Sequence, residues 1–348
     1  MSTLMHHGNR RYPHYRQPDC SVFFTLPAPA RYNRSFNGLT LQMQVHFGGH
    51  PGDTFPPCAL TIGNFDGVHL GHQAILRDLR READARGLPT ALLTFEPHPR
   101  EFFSRNDPPA RLATLRDKLA FLQGTGLVDR VHVQRFNRGF ASLSPQAFID
   151  SVLVERLDTR FLLIGDDFRF GSRRTGDFSL LAAEPRFTTR AMPTVELDGA
   201  RASSTAIREA LEAGDMPLAA RLLGRPYQLS GRVVHGRKLG RTLGFPTANI
   251  HLPHRKPALA GVFAVECLTP DGQRHVGAAS LGKNPTIDDA GCYRLEVYLL
   301  DYSGDLYGQR LIVRFIHKLR DEEKYDSLDA LIAQIHADVA ETRRLMPC

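Results

Sequence analysis

His69 and His72 stand three residues apart at the end of Leu60-Thr-Ile-Gly-Asn-Phe-Asp-Gly-Val-His-Leu-Gly-His72. Two imidazoles there can donate hydrogen bonds to a phosphoryl group as it gains charge in a transition state. Taken alone, the pair also fits a structural or a metal pair. Zinc helices space their histidines four apart, however, and no third ligand follows in an obvious pattern. The setting favours phosphate. The apolar run Cys58 to Ile62 predicts a buried strand, and a loop with Gly63, Asp66 and Gly67 follows it. Apolar Ile75, Leu76 and Leu79 then predict a helix from about Gly71 to Ala85. Small residues admit a phosphate to the backbone, and a helix start offers free N–H groups and a positive dipole end.

Other candidates lie further on. Ser203-Ser-Thr-Ala-Ile-Arg208 opens a helix, where hydroxyls are ordinary caps, but Arg208 falls one turn on and can join Ser204 and Thr205 at a phosphate. Phe95-Glu-Pro-His-Pro99 and Gly165-Asp-Asp-Phe-Arg-Phe-Gly171 offer faces to a flat heteroaromatic ring, or simply pack as loops. The stretch from Gly236 to Thr242 is not a P-loop: its first glycine is one residue too close, Arg241 replaces the lysine, and Pro246 blocks a following helix. It reads instead as a Gly-rich flap ending in Pro-Thr-Ala-Asn249. Thr247 and Asn249 supply oxygens suited to Mg²⁺ and phosphate. At i and i+2 of a strand they share one face, although a plain barrel loop fits as well. Glu296, in the apolar strand Leu295-Glu-Val-Tyr-Leu-Leu-Asp301, either faces solvent, pairs, or accepts a proton as general base.

The elements that carry these residues fall into two textures. From Cys58 to about Gly224 strands alternate with helices: strands at Thr90–Phe95, Val128–Val133 and Phe161–Gly165, a helix over Leu115–Gln123, and another capped by Ser144-Pro145 and running to Leu157. This predicts a Rossmann-like α/β domain, a parallel sheet covered on both faces, with ligands at the carboxyl ends of its strands. After Leu222-Leu-Gly-Arg-Pro-Tyr227 the alternation stops. Strand-like runs at Leu229–Val234, Val262–Leu268, Val276–Leu281, Leu295–Leu300 and Leu311–Leu319 predict a small antiparallel β-barrel. A helix capped by Ser327 closes the chain to about Leu345. The predicted domains are 43–224 and 225–348, after a basic extension over 1–42 without regular structure. That extension reads as a transit peptide or as the product of an over-long start, with Met43 the natural one.

The balance of 42% apolar and 23% charged residues is that of a chain with ample core, and no run nears the about 18 apolar residues of a membrane span. The net charge of +7 is mostly local: Arg10, Arg11, Arg16, Arg31 and Arg34 face a single acid, Asp19, in the extension. This argues against nucleic acid as a partner. Five scattered cysteines without a Cys-x-x-Cys point to reduced thiols and a cytoplasmic location.

The histidine stretch resembles the Gly-x-Phe-Asp-x-x-His-x-Gly-His signature of the nucleotidyltransferase superfamily, and Ser203-Ser-Thr-x-x-Arg208 its second motif, with Ala202 for the usual Ile. Together with Gly224-Arg-Pro, Gly231-Arg-Val-Val-His-Gly236, Gly244-Phe-Pro-Thr-Ala-Asn249, Asp305-Leu-Tyr-Gly308 and Leu319-Arg-Asp-Glu-Glu-Lys324, these are similar to the bacterial bifunctional riboflavin kinase/FMN adenylyltransferases over roughly Met43 to Leu345. The resemblance implies two ATP-dependent steps, from riboflavin to FMN in the barrel and from FMN to FAD in the N-terminal domain. It implies His69, His72 and Glu296 as catalytic, with Thr247 and Asn249 at Mg²⁺. It implies ATP contacts at Gly63, Phe65, Asp66, Gly71, Ser204, Thr205, Arg208, Gly236 and Gly244, and flavin contacts at Pro97, Asp167, Phe168, Arg320 and Glu323. The partners are then riboflavin, FMN and ATP, the chain acting as a monomer. Tyr298 and Ala279-Ser-Leu-Gly282 depart from the family pattern, in which His and Ala-Asn-Ile-Gly are common.

Overall fold

The computed structural model describes residues 43–48, 52–104, 108–193, 196–197, 200–236, 240, 244–252, 256–283 and 293–347, with paired segments at 31–32, 35–36 and 39–40. The first set of strands is β1 (Arg31–Tyr32), the hairpin of β2 (Ser35–Phe36) and β3 (Leu39–Thr40), β4 (Met43–Phe47), the apolar runs of β5 (Cys58–Ile62) and β6 (Thr90–Glu96), β7 (Arg130–Arg135), β8 (Thr159–Gly165) and β9 (Thr188–Met192). They form a seven-stranded sheet in the order β1-β4-β7-β6-β5-β8-β9, with β2 and β3 outside it. All its neighbours run parallel except β1, which is antiparallel to β4. Within the span expected as an extension, Tyr32 registers with Met43 and Arg31 with Gln44. Residues 1–30 lie outside the described residues.

Helices cover both faces, as two continuous hydrophobic faces require. The short α2 (Pro99–Phe103) follows the end of β6; on one face lie α1 (Leu70–Ala85) and α3 (Leu115–Thr125), where Leu76, Leu79 and Leu122 are fully buried. Each such leucine contributes about 1.5–3 kcal/mol. On the other lie α4 (Arg138–Ala141), α5 (Pro145–Phe148) and α6 (Phe178–Ala182). Ser144 caps α5 and Pro145 opens it, as expected, but Ile149–Arg156 then winds as a π-helix, so one α-helix does not extend to Leu157. From β5 the chain steps outward to β6 and β7, then returns to place β8 on the other side of β5. The winding reverses between β5 and β8, and ligands in such sheets bind at that reversal, beyond the strands' carboxyl ends.

A hairpin of β10 (Glu196–Leu197) and β11 (Ala200–Arg201) leads into α7 (Ser204–Ala213) and α8 (Met216–Leu223). The barrel follows: β12 (Tyr227–Val234), β13 (Thr247–Ile250), β14 (Gly261–Leu268), β15 (Arg274–Lys283), β16 (Tyr293–Leu299) and β17 (Arg310–Arg320), closed in the order β12-β13-β16-β15-β14-β17. The helix Leu328–Leu345, capped by Ser327, packs against it. One core runs through Ile207, Leu211 and Leu222 of α7 and α8 into Phe263, Val265 and Phe315 of the barrel. The helix pair before Gly224 thus shares its burial with the domain after it.

A buried polar bridge also crosses between sheet and barrel. Ser230 of β12 donates to Asp117 of α3 at 2.6 Å and accepts from Arg310 of β17 at 2.8 Å. Asp117 and Ser230 are both buried. Ser230→Ala leaves a buried carboxylate oxygen and a guanidinium N–H without this partner, so it should lower unfolding free energy by about 1–3 kcal/mol. Urea unfolding of wild type and variant measures this, and equal midpoints would show that the bridge carries no stability.

Candidate active sites

The first site forms at the β5–β8 reversal. His69 caps α1, its Nδ1 accepting from the His72 backbone N–H at 3.3 Å. That bond fixes the proton of a neutral His69 on Nε2. The His72 ring stacks on His69 at 3.6 Å and on Phe65 at 4.4 Å between centroids. Its Nδ1 has no partner among the described residues. Gly71 is needed for this packing, since a Cβ would sit 2.8 Å from the Ala202 carbonyl oxygen and 3.1 Å from the His69 ring. The two superfamily-like motifs are therefore in contact.

Of the expected ATP residues, Gly63, Phe65, Asp66, Gly71, Ser204, Thr205 and Arg208 all gather here, but three are engaged with one another. The Asp66 carboxylate accepts from the backbone N–H groups of Leu112 (3.1 Å) and Ala113 (3.2 Å) and pairs with Arg208. Arg208 also donates to the Ala110 carbonyl, and Ser204 Oγ donates to the Asp66 carbonyl at 2.9 Å. These contacts make Asp66 and Arg208 braces of the loop in this structure, while Thr205 is exposed at the start of α7. Asp167 accepts from Arg201 at 2.7 Å, and Phe168 stacks on Phe170, so the β8 loop meets the α7 lead-in. Pro97 lies at the end of β6, where Glu96 accepts from Arg111 at 2.7 and 2.9 Å.

The sequence reading gave no role to Arg111, Lys118 or Arg225, although Arg225 lies in the Gly224-Arg-Pro motif named above. Lys118 is 4% exposed, with Nζ 3.4 Å from Thr94 Oγ1, and Thr94 in turn donates to the Asn64 carbonyl. A signal existed: Lys118 falls on the apolar stripe of Leu115, Leu119 and Leu122, where a charge is rarely buried without a task.

Burial sets the charge state of the histidines. It lowers His69 to about 4 despite the opposing Asp66 carboxylate, and holds His72 well below its ordinary value, with His69, Lys118 and Arg225 adding to the effect. On β7, an interior strand of the sheet, burial lowers His132 to about 3, helped by stacked His46 and by Arg130. Such groups bind protons in the unfolded chain below pH ~6.5 but in the folded one only near those lower values. Stability should hold above pH ~6.5 and decline as pH falls toward 4, by up to about 1.4 kcal/mol per pH unit for each buried ring. Urea midpoints at pH 7.5 and pH 5 test this; no decline would mean that the rings are already charged.

The second site is a cleft of ≈ 840 Å³ on the barrel. Strand register assembles it. Asn249 of β13 stands opposite Glu296 of β16, and Thr247 opposite Tyr298. On the other side of β16, Ser280 faces Glu296 and Ala278 faces Tyr298. Thr247, Glu296, Tyr298, Arg320 and Glu323 line the cleft. Glu296 is 38% exposed, with Arg294 at 3.3 Å, so it is neither buried nor free in solvent. Gly236 lies on Asn249, where any Cβ would collide with the amide, and Gly244 takes a left-handed φ of 86°. Arg320 is held by Asp338 of the last helix at 2.7 and 2.9 Å. The rest of the expected flap, 237–239 and 241–243, lies outside the described residues. Hydroxyl, amide and carboxylate oxygens on one strand face match the hard donors that Mg²⁺ takes.

A phosphate-binding α/β site and an oxygen-lined barrel cleft on one chain narrow the comparison with known proteins. The FAD synthetase family model matches residues 53–206, and the riboflavin kinase family model matches residues 223–346. The bifunctional riboflavin kinase/FMN adenylyltransferase of Pseudomonas fluorescens is 51% identical over 83% of this chain and 93% of its own length. Its counterpart from Haemophilus influenzae is 50% identical over 81% and 92%, and that from Escherichia coli K12 is 48% identical over 82% and 92%. The chain belongs to this family. The Gly63–His72 loop with Ser204 and Thr205 falls in the first matched region, Arg208 lies two residues beyond it, and the barrel cleft falls in the second. A crystal structure described as a macrolide-efflux protein from Streptococcus pneumoniae also matches, with a TM-score of 0.72 at 31% identity, over 84% of this chain and 96% of that one. Among the described residues no helix is long and apolar enough to cross a membrane.

Proposed function

We propose that this bifunctional riboflavin kinase/FMN adenylyltransferase makes FAD in two steps at the two sites described above. In the barrel, the ribityl 5′-hydroxyl of riboflavin attacks the γ-phosphorus of ATP. A bond forms from that oxygen to phosphorus, the bond to ADP breaks, and Glu296 takes the hydroxyl proton. Thr247 and Asn249 hold Mg²⁺, which when bound neutralises charge on the ATP phosphates. Arg320 and Glu323 hold the flavin, with Gly236 and Gly244 letting the flap approach ATP. In the N-terminal site, a phosphate oxygen of FMN attacks the α-phosphorus of a second ATP, and pyrophosphate leaves. His69 and His72 donate hydrogen bonds to the phosphoryl oxygens as charge builds there. Gly63, Phe65, Gly71, Ser204 and Thr205 line the nucleotide, braced by Asp66 and Arg208; Pro97, Asp167 and Phe168 border the flavin.

The observation that carries this reading is the register that sets Asn249 opposite Glu296, in a domain separate from the His69–His72 pair. A single-activity adenylyltransferase would leave the barrel cleft without a task. We place the domain division near Gly224 and the enzyme, as a monomer, in the cytoplasm; the buried free thiols of Cys58 and Cys267 suit a reducing compartment. Incubation with riboflavin, ATP and Mg²⁺, followed by chromatography of the flavins over time, tests the proposal. FMN should appear first and FAD after it. FMN as the final product would reject the N-terminal assignment, and no conversion even of supplied FMN would reject both.

A further inference from the structure

The loop that carries His69 is bent against its own backbone preferences. Phe65, Gly67 and Val68 have φ of 48°, 82° and 43°, the left-handed region that a β-branched valine disfavours. Such a conformation persists only where the surroundings over-determine it. Here they do so from the linker to the barrel. Arg225 donates to the carbonyls of Gly67, Val68 (3.3 Å) and Leu223 (3.2 Å), and its guanidinium lies 3.6 Å over the Phe121 ring of α3. Gln73 of α1 bridges two of the same carbonyls, Val68 at 3.0 Å and Leu223 at 3.2 Å. Gly224, with φ of 72°, lets the linker pass where a Cβ would meet Leu70 at 2.6 Å. Two residues after Arg225, Tyr227 begins the first barrel strand.

We propose that Arg225 is a positioning residue for adenylyl transfer: by holding the Gly67 and Val68 carbonyls it fixes the backbone that aims His69 and His72. The inference rests on the assignment of the Gly63–His72 loop as the adenylyltransferase site. It makes that site incomplete without the second residue beyond α8, although Arg225 itself touches no reacting atom. Burial lowers the guanidinium to about 10, against the pull of the Asp117 carboxylate, so it remains charged at neutral pH. A planar fork serves neighbouring carbonyls at once; a lysine ammonium on the same chain cannot reproduce it.

The test compares Arg225→Ala, Arg225→Lys and His72→Ala with wild type in the full-length chain, assaying riboflavin phosphorylation and FMN adenylylation on the same preparations. Arg225→Ala should lower kcat for FAD formation by about 10-fold or more, with a smaller change in KM for ATP, because the loss is one of alignment. Arg225→Lys should lie between it and wild type, and riboflavin phosphorylation should be unchanged in both. Parallel loss of the two activities would make Arg225 a general stabiliser and overturn the proposal, as would unchanged FAD formation. If Arg225→Ala does not fold, Arg225→Lys decides: a selective fall in adenylylation supports the clamp, and full activity overturns it. Unchanged FAD formation in His72→Ala would instead defeat the assignment of the loop.

Discussion

Glu296→Gln should stop FMN formation from riboflavin, lowering kcat by about 10²–10⁴-fold, while conversion of supplied FMN to FAD continues. The variant keeps the shape and the hydrogen-bonding capacity of the side chain but removes its basicity. Its cross-strand neighbours, Asn249 and Ser280, take up no proton at neutral pH, so any substitute must come from the carboxylates beyond β17 that also line the cleft, Glu322, Glu323, Asp326 and Asp338, the last of which is tied to Arg320. Tyr298, on the same strand face, stands opposite Thr247. The measurement is kcat for each half-reaction on one preparation. Equal loss of both would argue against two separate sites. An unchanged kinase rate would mean that the proton leaves by another route and that Glu296 only lines the cleft.

What could be read from the sequence divides along physical lines. Hydrophobic period gave away the α/β alternation up to Gly224 and the strand-rich barrel beyond it, because each period has one packing solution. His69 and His72 were legible because a strand, small residues and a helix start occur within one short stretch. The i, i+2 spacing was enough to place Thr247 and Asn249 on one face. That Glu296 lies directly opposite Asn249 was not legible, since register between strands 47 residues apart is set by the closed barrel. The same limit hid the pairing of Asp66 with Arg208 across 142 positions, which turns two expected ATP ligands into braces. Arg225 gave no periodic signal at all, being a linker residue whose partners are backbone carbonyls 157 and 158 positions away. The π-helical winding of Ile149–Arg156 shows the converse: Ser144 and Pro145 marked where the helix starts, and these local signals carried nothing about how it continues.

His72→Ala should halt the pathway at FMN, with FAD formation lowered by on the order of 10²-fold or more and riboflavin phosphorylation intact. The size follows from where the ring sits. Stacked on His69 and Phe65 in a low-dielectric pocket, a neutral imidazole offers a fixed dipole and needs no reorganisation when charge develops on the phosphoryl oxygens. Truncation removes that donor and also one face of the packing that orients His69, so part of the effect belongs to the pair. His72→Asn, which keeps a donor in a smaller side chain, should recover part of the rate. A pH profile separates this role from acid catalysis. Burial lowers His69 to about 4 and holds His72 well below its ordinary value, so their titration should leave no inflection in kcat for adenylylation between pH 6 and 8. An inflection in that range that disappears in His72→Ala would show instead that a charged imidazolium takes part, and that the site opens to water before the phosphoryl group moves.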